Sequence, residues 1–133
     1  MSATNATETA ALQAILHTGG TLYLSLHTAD PGDTGSQTSS EAAYTGYSRV
    51  SIGGNSTDLP ISGTSPTAAT NAATLTFSKC TASPGSAITH VGIGTDSSGA
   101  GTLKLSLALS SSLTMAAGVT PLFEAGGLQI TCD

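Results

Sequence analysis

Leu103-Lys104-Leu105-Ser106-Leu107-Ala108-Leu109 alternates leucine with small or polar residues. Successive side chains of a strand point to opposite faces, so this alternation gathers every leucine on one face. On a helix the same leucines would scatter around the axis. The stretch reads as a β-strand with Leu105 and Leu107 in a core. Lys104, Ser106 and Ala108 then face water or a partner.

Working outward, Asp96-Ser97-Ser98-Gly99-Ala100-Gly101 is a flexible turn, and 88–95 is the strand before it, with Val91 and Ile93 inward. Gly92 and Gly94 inside that strand mark a bulge or a close backbone approach. Near the start, Leu22-Tyr23-Leu24-Ser25-Leu26-His27 puts three leucines on one face. Asp30-Pro31-Gly32-Asp33-Thr34-Gly35 is then a strong turn signal, followed by a polar loop to Ser40. Residues 47–52 alternate again, with Val50 and Ile52 inward. Leu75 with Phe77, then 113–115, 119–124 and 128–132, complete about eight short strands, the spacing of a sandwich. The fold class is mostly β: a single-domain antiparallel β-sandwich or jelly roll over 1–133 with a short N-terminal helix.

That helix lies within 1–20. Asn5 is its expected cap, with Glu8 at capping-box spacing, and Leu12, Ile15 and Leu16 form a short apolar stripe. Gly19-Gly20 stops it after Thr18. So short a helix must dock on its own sheet or on a neighbour. Residues 53–73 are rich in Gly, Ser, Thr and Pro and read as a surface arm or loop, or as a short strand around Leu59 and Ile61. The helix and this arm are the expected docking segments.

Only 8% of the 133 residues are charged, against roughly a quarter in an ordinary domain, yet 38% are hydrophobic. Ser, Thr, Gly and Ala replace the charge, which lowers the desolvation cost of contact with neighbours. The net charge is −5, and Arg49, Lys79 and Lys104 are the only basic side chains. Phosphate neutralisation, and so nucleic-acid binding, is excluded on that balance. No apolar run is long enough for a membrane-spanning helix. MSATNATETA has neither the basic nor the apolar part of a secretory signal, which implies assembly in a cytoplasm. In that compartment Cys80 and Cys132 are expected as reduced thiols.

No residue pattern here specifies catalysis, a cofactor or a metal. His17, His27 and His90 have no compact ligand spacing. His17 favours the end of the helix dipole, and His27 and His90 fall on the polar sides of their strands. Asp30, Asp33 and Glu41 are the densest acidic group. They could hold Ca²⁺ with backbone carbonyls, but Asp-Pro-Gly-Asp is also ordinary turn chemistry, the favoured reading. No Gly-x-Ser-x-Gly elbow or phosphate loop occurs, and no serine is singled out by an adjacent base. Asn5-Ala6-Thr7 and Asn55-Ser56-Thr57 match the glycosylation pattern by chance in a Thr-rich chain. With no Trp, two Phe and three Tyr, the chain is poor material for stacking on sugars, which places a carbohydrate-binding module last among the binding readings.

Leu22-Tyr23-Leu24-Ser25-Leu26-His27-Thr28-Ala29-Asp30-Pro31-Gly32-Asp33 resembles the opening strand and loop of a family of small β-sandwich bacteriophage virion proteins. Tyr44-Thr45-Gly46-Tyr47-Ser48-Arg49 is similar to the family's Tyr-x-Gly-Tyr-x-Arg element. Ile88-Thr89-His90-Val91-Gly92-Ile93 is similar to its Thr-His strand. Phe123-Glu124-Ala125-Gly126-Gly127-Leu128 is similar to its closing strand. Members are labelled head-decoration (cement), tail fibre or minor tail proteins. The resemblance implies a non-enzymatic virion protein, favoured as a decoration protein on the capsid exterior that binds the major capsid protein, with a tail-associated role as the alternative. It implies a dimer or trimer and carries over no catalytic residue, cofactor or metal ligand. On the residues alone, Tyr44 and Tyr47 anchor a bend at Gly46, and Arg49 pairs with an acidic loop residue.

Overall fold

The computed structural model describes residues 3–64, 66–82 and 85–132. Met1 and Ser2 of the N-terminal segment and Ser65 of the 53–73 segment therefore lie outside the described residues. In chain order the elements are α1 (Asn5–Leu16), β1 (Thr21–His27), β2 (Val50–Gly53), β3 (Ile61–Ser62), β4 (Thr67–Thr70), β5 (Leu75–Thr76), β6 (Ile88–Gly94), β7 (Leu103–Leu113), β8 (Leu122–Phe123) and β9 (Gln129–Cys132). The fold is mostly β and antiparallel with one short N-terminal helix, in keeping with a β-sandwich. The sequence reading takes 1–133 as one domain. The chain groups into two compact units, one of Met1–Thr21, Ile52–Leu75 and Phe123–Asp133, the other of Leu22–Ser51 and Thr76–Leu122.

In the first unit α1 packs on a three-stranded sheet of order β3-β4-β9. Leu12, Leu16, Leu59, Ala69 and Ile130 are buried here. The helix therefore docks on its own sheet. Its cap is Thr4 rather than Asn5: Thr4 is extended, and its side chain accepts from the Thr7 amide. Asn5 is the first helical residue. Glu8 does not turn back to form a capping box; it is buried, and its Oε2 accepts a 2.7 Å hydrogen bond from the Thr67 hydroxyl on β4. The helix ends at Leu16, two residues before the expected stop, with His17 as its C-cap.

Residues 53–73 are not a loose arm. They carry β3 and β4, and Leu59, Thr67 and Ala69 within them are fully buried. Gly54 explains part of this: its amide donates to Gly20 O, its carbonyl accepts from Gly19, and a Cβ there would lie 2.8–2.9 Å from Thr18, Gly20 and Leu16 atoms. Asn71 ties the next turn together, taking the Leu128 amide on Oδ1 and giving Nδ2 to the carbonyls of Ala73 and Glu124.

The larger sheet, which holds most of its residues in the second unit, has the strand order β2-β1-β6-β7. The β1–β6 register pairs Leu24 with Ile93 and Leu26 with Val91, and all four are buried. That face continues onto β7, where Ile93 pairs with Leu105 and Val91 with Leu107. Yet no β7 leucine is buried; Leu103, Leu105, Leu107, Leu109 and Leu113 are all half-buried. The sequence placed Leu105 and Leu107 in the core. They share the core face, but β7 is the last strand of the sheet, so neighbours cover them on one side only. Beyond Ala108 the ladder also slips: His90 pairs with Ala108, while Ile88 pairs with Leu113, so 109–112 bulge out.

Candidate functional site

The polar groups of the second unit converge on one network, built from β1, the loop 36–49 and the turn 95–101. Gly46 makes the loop possible. Its φ is +97°, and a Cβ there would sit 2.8 Å from the Lys79 carbonyl oxygen. Around that turn Tyr44 and Tyr47 meet edge to face at 5.3 Å, and Tyr47 lies parallel to Phe77 at 6.5 Å. The Tyr44 hydroxyl donates to Ser78 O, and burial pushes its pKa up to about 12. Tyr47 is driven up further, chiefly by burial. Its oxygen accepts from the Leu26 amide and its proton goes to Glu41.

Arg49 completes the clasp. Its Nε and Nη2 hold the two Glu41 oxygens at 2.7 and 2.8 Å, a bidentate fork. Nη1 donates to Asp96 O, and Nη2 also reaches Gly99 O at 2.7 Å. Its side chain is 3% exposed and that of Glu41 15%. The paired carboxylate raises the Arg49 pKa still higher, so the guanidinium is permanently charged. One arginine thus fastens the 41–49 loop to the 96–99 turn, as the sequence expected of Arg49 in pairing with an acidic residue.

Gln37 makes a second fastening that the sequence reading missed. It is fully buried, its Oε1 accepts from the Asp96 amide, and its Nε2 donates to Asp96 O, so the side chain acts as a strand partner. Gly94 and Gly101 leave the room it needs; a Cβ at either would overlap Gln37. The signal for it was Gly94, read as a bulge or a close backbone approach without the group that approaches; Gly101 was read only as part of a turn.

His27 lies where the sequence placed it, on the face away from the leucines, but that face is covered. Ser25 and His27 are both fully buried. His27 Nδ1 lies 2.8 Å from Ser39 O. A carbonyl only accepts, so Nδ1 carries the proton, and in the neutral ring Nε2 accepts from Ser25 Oγ at 2.8 Å. Desolvation lowers the His27 pKa, partly opposed by the Ser39 bond and the Glu41 charge. A serine does therefore sit against a base, contrary to the expectation that none would. Spacing i, i+2 on a strand put it there. The pair is sealed, so its geometry is that of a structural hydrogen bond, with no route for a substrate.

The remaining candidates are dispersed. His17 Nε2 meets Leu59 O, and His90 Nδ1 meets the Thr89 hydroxyl. Asp30 accepts from the Gly32 amide as turn chemistry, while Glu41 is committed to Arg49. Among the described residues no three His, Cys, Asp or Glu side chains form a group that could hold a metal ion. Asn55 caps its own turn, accepting from the Thr57 and Asp58 amides. Cys80 and Cys132 are free thiols. No helix is long and apolar enough to cross a membrane, among the described residues.

A family model described as podophage GP4 fiber I protein gp80 matches residues 2–131. The chain belongs to this family. It is a bacteriophage virion structural protein of fibre type, and the gp80 match takes in every element above but for the last residue of β9. No curated protein matches the chain. The Tyr44–Arg49 element by which the sequence resembled virion proteins is the Glu41–Arg49 clasp, so in this gp80 family member that resemblance rests on a fold-holding group.

Proposed function

We propose that this gp80 family member is a tail-associated fibre subunit that works by holding its shape and packing against other virion subunits, and that it catalyses nothing. The single observation that carries the tail assignment over the head-decoration alternative is the fibre description of a family model spanning 2–131. The structural role is supported by where the polar chemistry goes. Arg49, Glu41, Gln37 and His27 all spend their hydrogen bonds on the protein's own loops. The partners are other virion proteins and further copies of this chain, as a dimer or trimer. Beyond Lys104, the outer positions Ser106, Ala108 and Ser110 of β7 are exposed and carry no charge to desolvate. The helix and the 53–73 segment, offered by the sequence as docking segments, are both built into the first unit, so this reading puts the docking surface on β7 instead.

The test mixes purified protein with tail assemblies and, separately, with undecorated heads, and counts bound copies after co-sedimentation. Binding to tails and not to heads is expected. Saturable binding to heads alone would restore the decoration reading. A turnover lost on substituting one Ser, His or Asp would overturn the non-enzymatic assignment.

A further inference from the structure

Residues 38–42 run along the end of β1 as a strap, with Glu41 bridged antiparallel to His27. Besides the bonds of the Glu41 side chain to Arg49 and Tyr47, four bonds tie it to residues 26–28: Thr28 N–H and Thr28 Oγ1–H to Ser40 O, Ala42 N–H to Leu26 O, and His27 Nδ1–H to Ser39 O. Only the last depends on a group that titrates near neutral pH. The strap is also under strain. Ser40 has φ +52°, the one non-glycine residue in the left-handed region among the described residues. Its ties therefore hold the backbone in a conformation it does not favour when free.

We propose that the 38–42 strap is an acid-released latch whose proton sensor is His27. The closed strap seals a neutral imidazole with both nitrogens engaged, Nδ1–H giving to Ser39 and Nε2 taking from Ser25. A second proton must go on Nε2. It would face the Ser25 oxygen, displacing the hydroxyl proton that now points to the ring. The charge would sit in a fully buried position. Its surroundings do not favour it. His90 stands directly opposite on β6 and disfavours a charged His27 ring. Arg49 adds a fixed positive charge. Glu41, bridged to His27 on the strap side, is the one negative group, and Arg49 already takes both its oxygens. With the strap open, water solvates the imidazolium freely.

The depressed pKa of the closed state agrees in sign. The open state binds the proton near the ordinary histidine value of about 6.5. Closure is therefore at full strength above that pH, and weakens as pH falls toward the lower closed-state value. Acid should loosen the strap, and with it one end of the clasp, while the β1–β6 core stays paired.

Amide hydrogen exchange by NMR at pH 7.5 and 5.0, corrected for intrinsic rates, tests this on the whole chain. Protection of the Thr28 and Ala42 amides should fall several-fold at pH 5.0, with Val91 and Ile93 unchanged. In His27→Gln the Thr28 and Ala42 protection should no longer depend on pH; in His90→Gln it still should. Nitrogen shifts of the native His27 ring, read alongside, should report the Nδ1–H tautomer at pH 7.5. Equal protection at both pH values would overturn the proposal, as would a His27 that protonates beneath an intact strap. Parallel loss at Val91 and Ile93 would mean global unfolding and overturn it too. A response abolished by His90→Gln instead would assign the sensor wrongly.

Discussion

Arg49→Met removes the clasp while keeping most of the side chain's apolar stem. Four hydrogen bonds go with the guanidinium, two to Glu41 and one each to the Asp96 and Gly99 carbonyls. Asp96 O keeps Gln37 and Glu41 keeps Tyr47, so the loss is smaller than four independent bonds. The dominant cost is the Glu41 carboxylate, 15% exposed and stripped of its counter-charge. Breaking one partner of a buried ion pair costs about 3–5 kcal/mol. With Glu41 partly wet, the low end applies, about 3 kcal/mol. That is a large share of the roughly 5–15 kcal/mol that holds a domain together. At roughly 4 °C per kcal/mol for a chain of this length, the melting temperature should drop by about 12 °C. Urea unfolding of Arg49→Met, Glu41→Gln and the double variant measures it. The double should cost well under the sum of the singles, because neither leaves the other orphaned. Arg49→Lys should recover only part, since an ammonium cannot span the two carboxylate oxygens and both carbonyls. An Arg49→Met variant within about 0.5 kcal/mol of the parent, the ordinary range for surface changes, would refute the clasp as a stabilising element.

Three further outcomes follow. Leu24→Ala, on a fully buried side chain, should cost about 2–5 kcal/mol, whereas Leu105→Ala on the sheet edge should cost clearly less; equal losses in urea unfolding would contradict the edge placement of β7. Deleting 1–18 should unfold the first unit, because it uncovers the β3-β4-β9 sheet and orphans Thr67; a truncated protein with an unchanged melting transition would show the helix dispensable. Thermal stability should fall as pH drops below about 6.5, the ordinary histidine value, as far as the unfolded chain gains the proton that folded His27 refuses. His27→Gln should flatten that slope, and an unaltered slope would remove His27 as its source.

Where long apolar alternation met a central strand, the sequence was a good guide. Val91 and Ile93 on β6 and Leu22, Leu24 and Leu26 on β1 are buried as their spacing requires. The same rule misled at β7. Alternation states which side chains share a face, and the strand's rank in the sheet decides how well that face is covered. β4 was invisible for the opposite reason: Thr-Ala-Ala-Thr has no large apolar residue, and it is buried because α1 lies against it. The helix cap shifted by one residue because Thr4 and Asn5 are both good caps, and Glu8 was needed by Thr67 rather than by the helix end. Of the polar network, Arg49 and the tyrosines at Gly46 were legible as a motif. Gln37 and the Ser25–His27 pair were not, because their partners are backbone groups 12 to 59 residues away, or depend on a loop folding over the strand's polar face.

The proposal that this gp80 family member is a structural subunit of the virion's tail fibres turns on where the subunit sits in the particle. Cryo-electron microscopy of intact particles, with the subunit density located by its fold and copy number read from the same reconstruction, tests it most directly. Density at the tail in few to tens of copies per particle is expected. Hundreds of copies arrayed over the head would contradict it.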